Sequence, residues 1–275
     1  MVKDIIVNLS VGKPRDVAGD YAISVASAFD AHLSGVACAY EPVVDGMAFP
    51  SVAVSLIDAF RAESAAEANR AKNAFEQNAR RAAISADSTV ISGTASDATK
   101  KLGELARDYD LSIVAQAQPD GDVAENMAIE GVLFDSGRPV LVVPYIQSSG
   151  LKLDRVMVCW DGSRNAARAV GDAMPFLRRA GTIDVVTVDR QERRNELVGA
   201  RIATHLARHC LKVELQPIVA PDSDVASAVL SFAADNSTDL IVMGGYGHTR
   251  LREFVLGGAT SGILGSMTVP TLMAH

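Results

Sequence analysis

A strand–helix pattern that runs through the first half of this chain and then through the second restricts its fold more than any other feature. Asp110-Leu111 recurs as Asp239-Leu240, 129 residues on, and Arg138-Pro139-Val140 recurs as Val269-Pro270-Thr271, 131 residues on. The connection between these landmarks is therefore two residues shorter in the first half. Short apolar, β-branched runs predict strands at 4–9, 33–40, 89–91, 111–115 and 140–143, then at 155–160, 183–188, 213–219, 240–243 and 271–273. Helices are predicted between them. Pro14 suits an early position in a helix to Phe29. Alanine and charge over 56–83, with Phe60 and Phe75 as apolar anchors, predict a long helix. Ser96, Ser163 and Ser223 are placed to cap three more. Strands joined by helices pair in parallel through right-handed crossovers. The expected fold is α/β, two tandem doubly wound domains with five-stranded parallel sheets and sites at the carboxyl ends of the strands. The polar stretch Gln147-Ser148-Ser149-Gly150 sets the junction, giving domains 1–147 and 151–275.

Composition narrows the function. A formal charge of −7 argues against nucleic acid and anionic membranes as partners. No apolar run is long enough to span a membrane. Met1-Val2-Lys3-Asp4 leads directly into the first strand and leaves no room for a signal peptide. Cys38, Cys159 and Cys210 are odd in number and lack CxxC spacing, which suits free thiols in a reducing cytoplasm.

The most informative stretch is 239–275. The strand 240–243 ends at Gly244, Gly245 and Gly247, where backbone turns and a ligand can come close. Gly257-Gly258 precedes Ala259-Thr260-Ser261 at the start of a helix, where unpaired N–H groups and the helix dipole favour an anion. The spacing, Gly244, two residues, Gly247, nine residues, Gly257, resembles the nucleotide signature of the universal stress protein family. The likeness extends over His248-Thr249-Arg250-Leu251-Arg252-Glu253 and the closing Val269-Pro270-Thr271-Leu272-Met273. It covers both halves in plan and only the second in motif. In that pattern a serine or threonine follows the third glycine, whereas this chain has Gly258.

The resemblance implies a Rossmann-like sheet of strand order 3-2-1-4-5 and an adenine nucleotide, ATP first, with Mg an open addition. Asp161 would meet the nucleoside end, although it could instead serve with Ser163 only to cap the following helix. The backbone at Val188 would read the adenine edge. Met243, Gly244 and Gly247 would face ribose and α-phosphate. Gly257, Gly258 and Ala259 would offer N–H donors to the outer phosphates, and Thr260 a hydroxyl. The hydroxyl missing at Gly258 is worth about 0.5–1.5 kcal/mol if nothing replaces it. Arg250, Arg252 and His248 read as surface residues of the loop.

The first half lacks this set. Ala115 and Gln118 stand where Gly244 and Gly247 do, Asn126 and Met127 replace Gly257 and Gly258, and Val11 is assigned the place of Asp161. Asp120, Asp122 and Glu125 add negative charge that repels phosphate. One nucleotide per chain is therefore expected.

The resemblance also implies antiparallel pairing of 140–143 with 271–273, making an intramolecular pseudo-dimer, and leaves homodimerisation of the whole chain open. No Ser-His-Asp set, metal cluster or Walker-type lysine is visible, so slow ATP hydrolysis is the most catalysis expected. The leading expectation is a cytoplasmic stress-response protein that binds a nucleotide. The alternative is a scaffold of the same fold with a relic site, which meets a protein partner through the apolar stretch 41–55. That stretch could equally be a lid or a loop packed on its own domain.

Overall fold

The computed structural model describes residues 1–42, 50–118, 123–189, 196–220, 225–246 and 258–275. The chain divides into two compact units: Met1–Ala115 with Asp120–Arg138, and Gln116–Pro119 with Pro139–His275.

The first unit comprises β1 (Asp4–Asn8), α1 (Val17–Phe29), β2 (His32–Tyr40), α2 (Pro50–Arg81), β3 (Ala86–Gly93), α3 (Ala95–Leu105), β4 (Leu111–Ala115) and α4 (Val123–Asp135). Its strands lie in the order β3-β2-β1-β4, all parallel. Ile5, Ile6 and Val7 on the central β1 are fully or almost fully buried, as expected of a parallel strand covered on both faces. Phe75 of α2 is buried and lies against Gly35 of β2, where a Cβ would come within 2.7 Å of its ring. Phe60, expected as a second anchor, is instead 49% exposed, because the start of α2 lies beyond the packed part of the unit.

Helix starts are decided by side chains that reach back to free N–H groups. Asp16 caps α1 by accepting from Gly19 N at 3.0 Å, so the helix begins after it and Pro14 lies outside. Thr94, not Ser96, caps α3. Its Oγ1 accepts from Asp97 N at 3.2 Å and donates to the Asp97 carboxylate at 2.8 Å. Thr94→Ala is expected to lower unfolding free energy by about 1 kcal/mol, the usual value of such a cap, as measured by denaturant titration.

The second unit comprises β5 (Val140–Val143), β6 (Arg155–Cys159), α5 (Arg164–Leu177), β7 (Thr182–Asp189), α6 (Glu196–Ala207), β8 (Val213–Val219), α7 (Val225–Asp235), β9 (Leu240–Gly244), α8 (Gly258–Ser266) and β10 (Thr271–Ala274). The order is β5-β10-β9-β6-β7-β8. Strands β6–β10 follow the expected 3-2-1-4-5 arrangement and are parallel. The expectation of five parallel strands per unit needs correction: the first unit has four and the second has six. The cause is β5, which pairs antiparallel with β10 through Thr271–Val142, Leu272–Leu141 and Met273–Val140. This is the pairing the sequence led us to expect, and it places β5 with the second unit.

Ser163 caps α5 as predicted, accepting from Ala166 N at 3.1 Å. The cap expected at Ser223 and the irregular residues 43–49 lie outside the described residues.

Candidate functional site

In the second unit, β6 lies between β9 and β7, so the carboxyl ends of these three strands stand side by side. Each carries, at or just beyond its end, a residue singled out in the sequence. Asp161 follows β6 and is exposed; its Oδ1 accepts from Ser163 N at 2.8 Å. The carboxylate thus supports the cap of α5 with one oxygen, and its second oxygen remains suited to a hydroxyl or amine of a ligand. The capping and ligand roles are compatible. Val188 is half-buried near the end of β7 and pairs with Ile218.

Met243 and Gly244 end β9. Met243 is buried, and Gly244 faces the first turn of α5. A Cβ on Gly244 would lie 2.6 Å from Ala166 N and 2.7 Å from Asn165 C, closer than real side chains approach backbone. Glycine is required here by helix packing, whatever else approaches. The turn beyond is secured twice. Asn165 Nδ2 donates to Gly245 O at 2.6 Å, and Tyr246, with φ of 50°, donates its N–H to Thr260 Oγ1 at 3.3 Å. The second contact draws the start of α8 to the end of β9. Thr260 is buried, Ala259 is half-buried, and Gly258 is exposed with nothing within 4 Å of its Cβ direction. The first turn of α8, described from Gly258 onward, places its N–H groups beside an open position. Gly247 and Gly257 lie outside the described residues.

Asp161, Met243, Gly244 and the Gly258-Ala259-Thr260 turn thus stand at the carboxyl end of one sheet. That arrangement can seat an anion at α8 and hydrogen-bond a polar group at Asp161. Two contributors were missed from sequence, Asn165 and His275. His275 Nδ1 lies 2.9 Å from Asn165 Nδ2 and 3.2 Å from Gly245 O. No local pattern marks either, since both act across more than twenty residues of chain. Cys159 sits nearby as a neutral thiol. Burial, and then the negative charge of Asp161, push its pKa up to about 12 and disfavour the thiolate. Among the described residues no group of three or more His, Cys, Asp or Glu side chains could hold a metal ion.

The corresponding corner of the first unit is built differently. Ile5 pairs with Leu111 as Val156 pairs with Leu240, so β1 and β6 correspond at an offset of 151. Ser10, not Val11, therefore stands in the place of Asp161. The sequence offered no landmark there, and a slip of one residue exchanges the faces of a strand. Ser10 N donates to the half-buried Asp16 carboxylate at 3.2 Å. Lys13 pairs with Glu125 at 2.9 Å, and a Cβ on Gly12, with φ of 71°, would lie 3.3 Å from the Glu67 carboxylate. Helix α4 begins at Val123, so Asn126 and Met127 lie within it. By ordinary helix geometry the Met127 N–H is already directed to Val123 O. Where the second unit offers open donors, the first offers carboxylates and a continuing helix.

Among the described residues no helix is long and apolar enough to cross a membrane. Comparison with known proteins agrees with the sheet. The profile described as the universal stress protein family matches residues 152–275. The universal stress protein Slr1230 of Synechocystis sp. is 24% identical over 184 residues, covering 62% of this chain; the match spans 60% of that relative's length. Two crystal structures share the fold. A universal stress protein from Archaeoglobus fulgidus DSM 4304 superposes with a TM-score of 0.73 at 16% identity, covering 98% of this chain and 97% of that one. A functionally unknown protein from Pseudomonas aeruginosa PAO1 gives 0.63 at 15% identity, covering 99% and 92%. With its glycine spacing, its 3-2-1-4-5 sheet and the profile match, the stretch 152–275 belongs to the universal stress protein family, and the chain as a whole shares the fold of the Archaeoglobus protein.

Proposed function

We propose that this protein binds one adenine nucleotide, ATP, at the carboxyl ends of β6, β7 and β9 in the second unit, and acts in a cytoplasmic stress response. The observation that carries the reading is the open first turn of α8, tied to the end of β9 by Tyr246 N and Thr260 Oγ1 at 3.3 Å. Gly258, exposed with free space around it, lies where outer phosphates would meet N–H donors. Asp161 on the other side of the same sheet end would take a ribose hydroxyl or the adenine amine. Gly247 and Gly257 complete the family's spacing in sequence. Mg2+, where it accompanies the nucleotide, would be held chiefly by the phosphates, because Gly258 supplies no hydroxyl. Three free cysteines suit a reducing compartment.

Calorimetry with ATP on the full chain tests this, with Trp160, the sole tryptophan, as a fluorescence reporter beside Asp161. A stoichiometry of one is expected. Gly258→Ser, with room for the new side chain, is expected to tighten binding by at most about tenfold, since one net hydrogen bond is worth about 1 kcal/mol. A stoichiometry of two would place a ligand in the first unit and defeat the reading.

A second reading is a scaffold that retains the glycines without a ligand. It is favoured by Gly244, whose identity packing against Ala166 N already explains. Absence of ATP binding by the wild-type chain, together with unchanged stability in Gly258→Ser, would support it.

A further inference from the structure

We propose that His205 and His209, at the carboxyl end of α6, form a surface site for a late first-row divalent cation such as zinc. His205 is in the last turn of α6 and His209 four residues on, in the turn that continues it, a spacing that puts side chains one above the other. The turn is maintained past the end of α6 by Arg208 N to Thr204 O at 3.1 Å and His209 N to Leu206 O at 2.9 Å. Their ring centroids are 5.0 Å apart, with the planes at 72°. Two imidazoles that share a tetrahedral zinc, each nitrogen about 2 Å from the ion, have ring centres about 5 Å apart. The pair is therefore spaced as a chelate without moving the backbone. Both residues are exposed, so an ion can reach them, while the adjacent Ile202 and Leu206 anchor the helix in the core.

Two further features define the ligand. The carboxyl end of a helix carries the negative end of its dipole and unpaired carbonyls, which favour a cation. Arg201 and Arg208, within a turn of the pair, oppose one. A hard ion held mainly by charge, such as Mg2+ or Ca2+, gains little here. A borderline ion with strong affinity for imidazole nitrogen overcomes that repulsion, in the order copper(II) above zinc. Among the described residues no third His, Cys, Asp or Glu joins the pair, so water fills the remaining positions and exchange with solvent is fast. The carboxyl end of α6 leads into β8 at the amino ends of the strands, away from the carboxyl ends proposed for the nucleotide. The site is independent of that proposal.

The test is calorimetric titration of the full chain with zinc chloride, and electron paramagnetic resonance of the copper(II)-loaded chain. One zinc per chain is expected, with copper spectra showing two imidazole nitrogens and no heat from magnesium chloride at this site. His205→Ala or His209→Ala should each weaken zinc by about tenfold or more, as removal of even a supporting group at metal sites does. The double variant should bind none, while its ATP titration matches the wild type. Unchanged zinc affinity in the double variant, or a copper spectrum with fewer than two nitrogens, overturns the assignment.

Discussion

Replacing Gly247 with valine is expected to abolish ATP binding, whereas replacing Gln118, its counterpart in the first unit, with valine is expected to leave affinity and stoichiometry unchanged. The two substitutions are matched in chemistry and in place along the repeat, at an offset of 129 residues. Their expected outcomes differ because their surroundings do. In the second unit, the turn after β9 leads to an α8 that begins with exposed Gly258. A branched side chain at Gly247 would obstruct the approach of ribose and α-phosphate to backbone in the proposed site. In the first unit, α4 starts at Val123, Lys13 is engaged by Glu125, and Glu67 lies over Gly12, so no nucleotide is expected there to displace. Calorimetry on both variants, with circular dichroism to show that each is folded, reads the difference. ATP binding that survives Gly247→Val unaltered would put the nucleotide elsewhere.

The second large effect is on stability. Gly244→Ala is expected to cost about 1–3 kcal/mol of unfolding free energy, the usual penalty for forcing extra atoms into a packed core. The added Cβ meets Ala166 N at 2.6 Å and Asn165 C at 2.7 Å; both are backbone, so no side chain can rotate away. Either β9 or the first turn of α5 must shift, and Asn165, which bonds Gly245 O at 2.6 Å, shifts with it. Gly258→Ala is the control. Nothing lies within 4 Å of its Cβ direction and it sits in a helical turn, so a gain of about 0.4–1 kcal/mol is expected. Urea titrations of the two variants should therefore move in opposite directions. A Gly244→Ala protein as stable as the wild type would mean that α5 does not press on β9 as described.

These outcomes show which parts of the molecule local sequence encodes. β4, β5 and β8 begin and end where expected; for β4 and β5 the reason is burial, which leaves little room for polar side chains in a strand covered on both faces. β3 is longer than its apolar run, Ala86–Gly93 rather than 89–91. Its exposed residues alternate with half-buried ones, and Asp87 and Ser88 conceal the strand from a search for apolar residues. Capping at Ser163 was legible, while Thr94 displaced Ser96 because both threonine oxygen contacts, to N–H and to carboxylate, involve Asp97. In the site, the glycine spacing and Asp161 could be read from a motif. Asn165 and His275 could not, because their contacts with Gly245 depend on how α5 and the end of β10 meet β9. The motif also attributed Gly244 to ligand approach, whereas the fold needs it for a helix. Nothing in a one-dimensional pattern distinguishes a glycine kept open for a phosphate from one kept open for a backbone.

The antiparallel pairing of β5 with β10 has a consequence for how the chain is made. Leu141 pairs with Leu272, so β5 leaves the ribosome some 131 residues before its partner. Contacts of such long range form slowly, because a long loop must close before any pairing compensates its entropy. Until Thr271–Ala274 emerges, Val140–Val143, four fully buried residues in the finished protein, have no β10 to cover them. That interval is when strand-edge association with other nascent chains is most favoured. Slowing translation late in the message should therefore raise aggregation of this protein more than slowing it early.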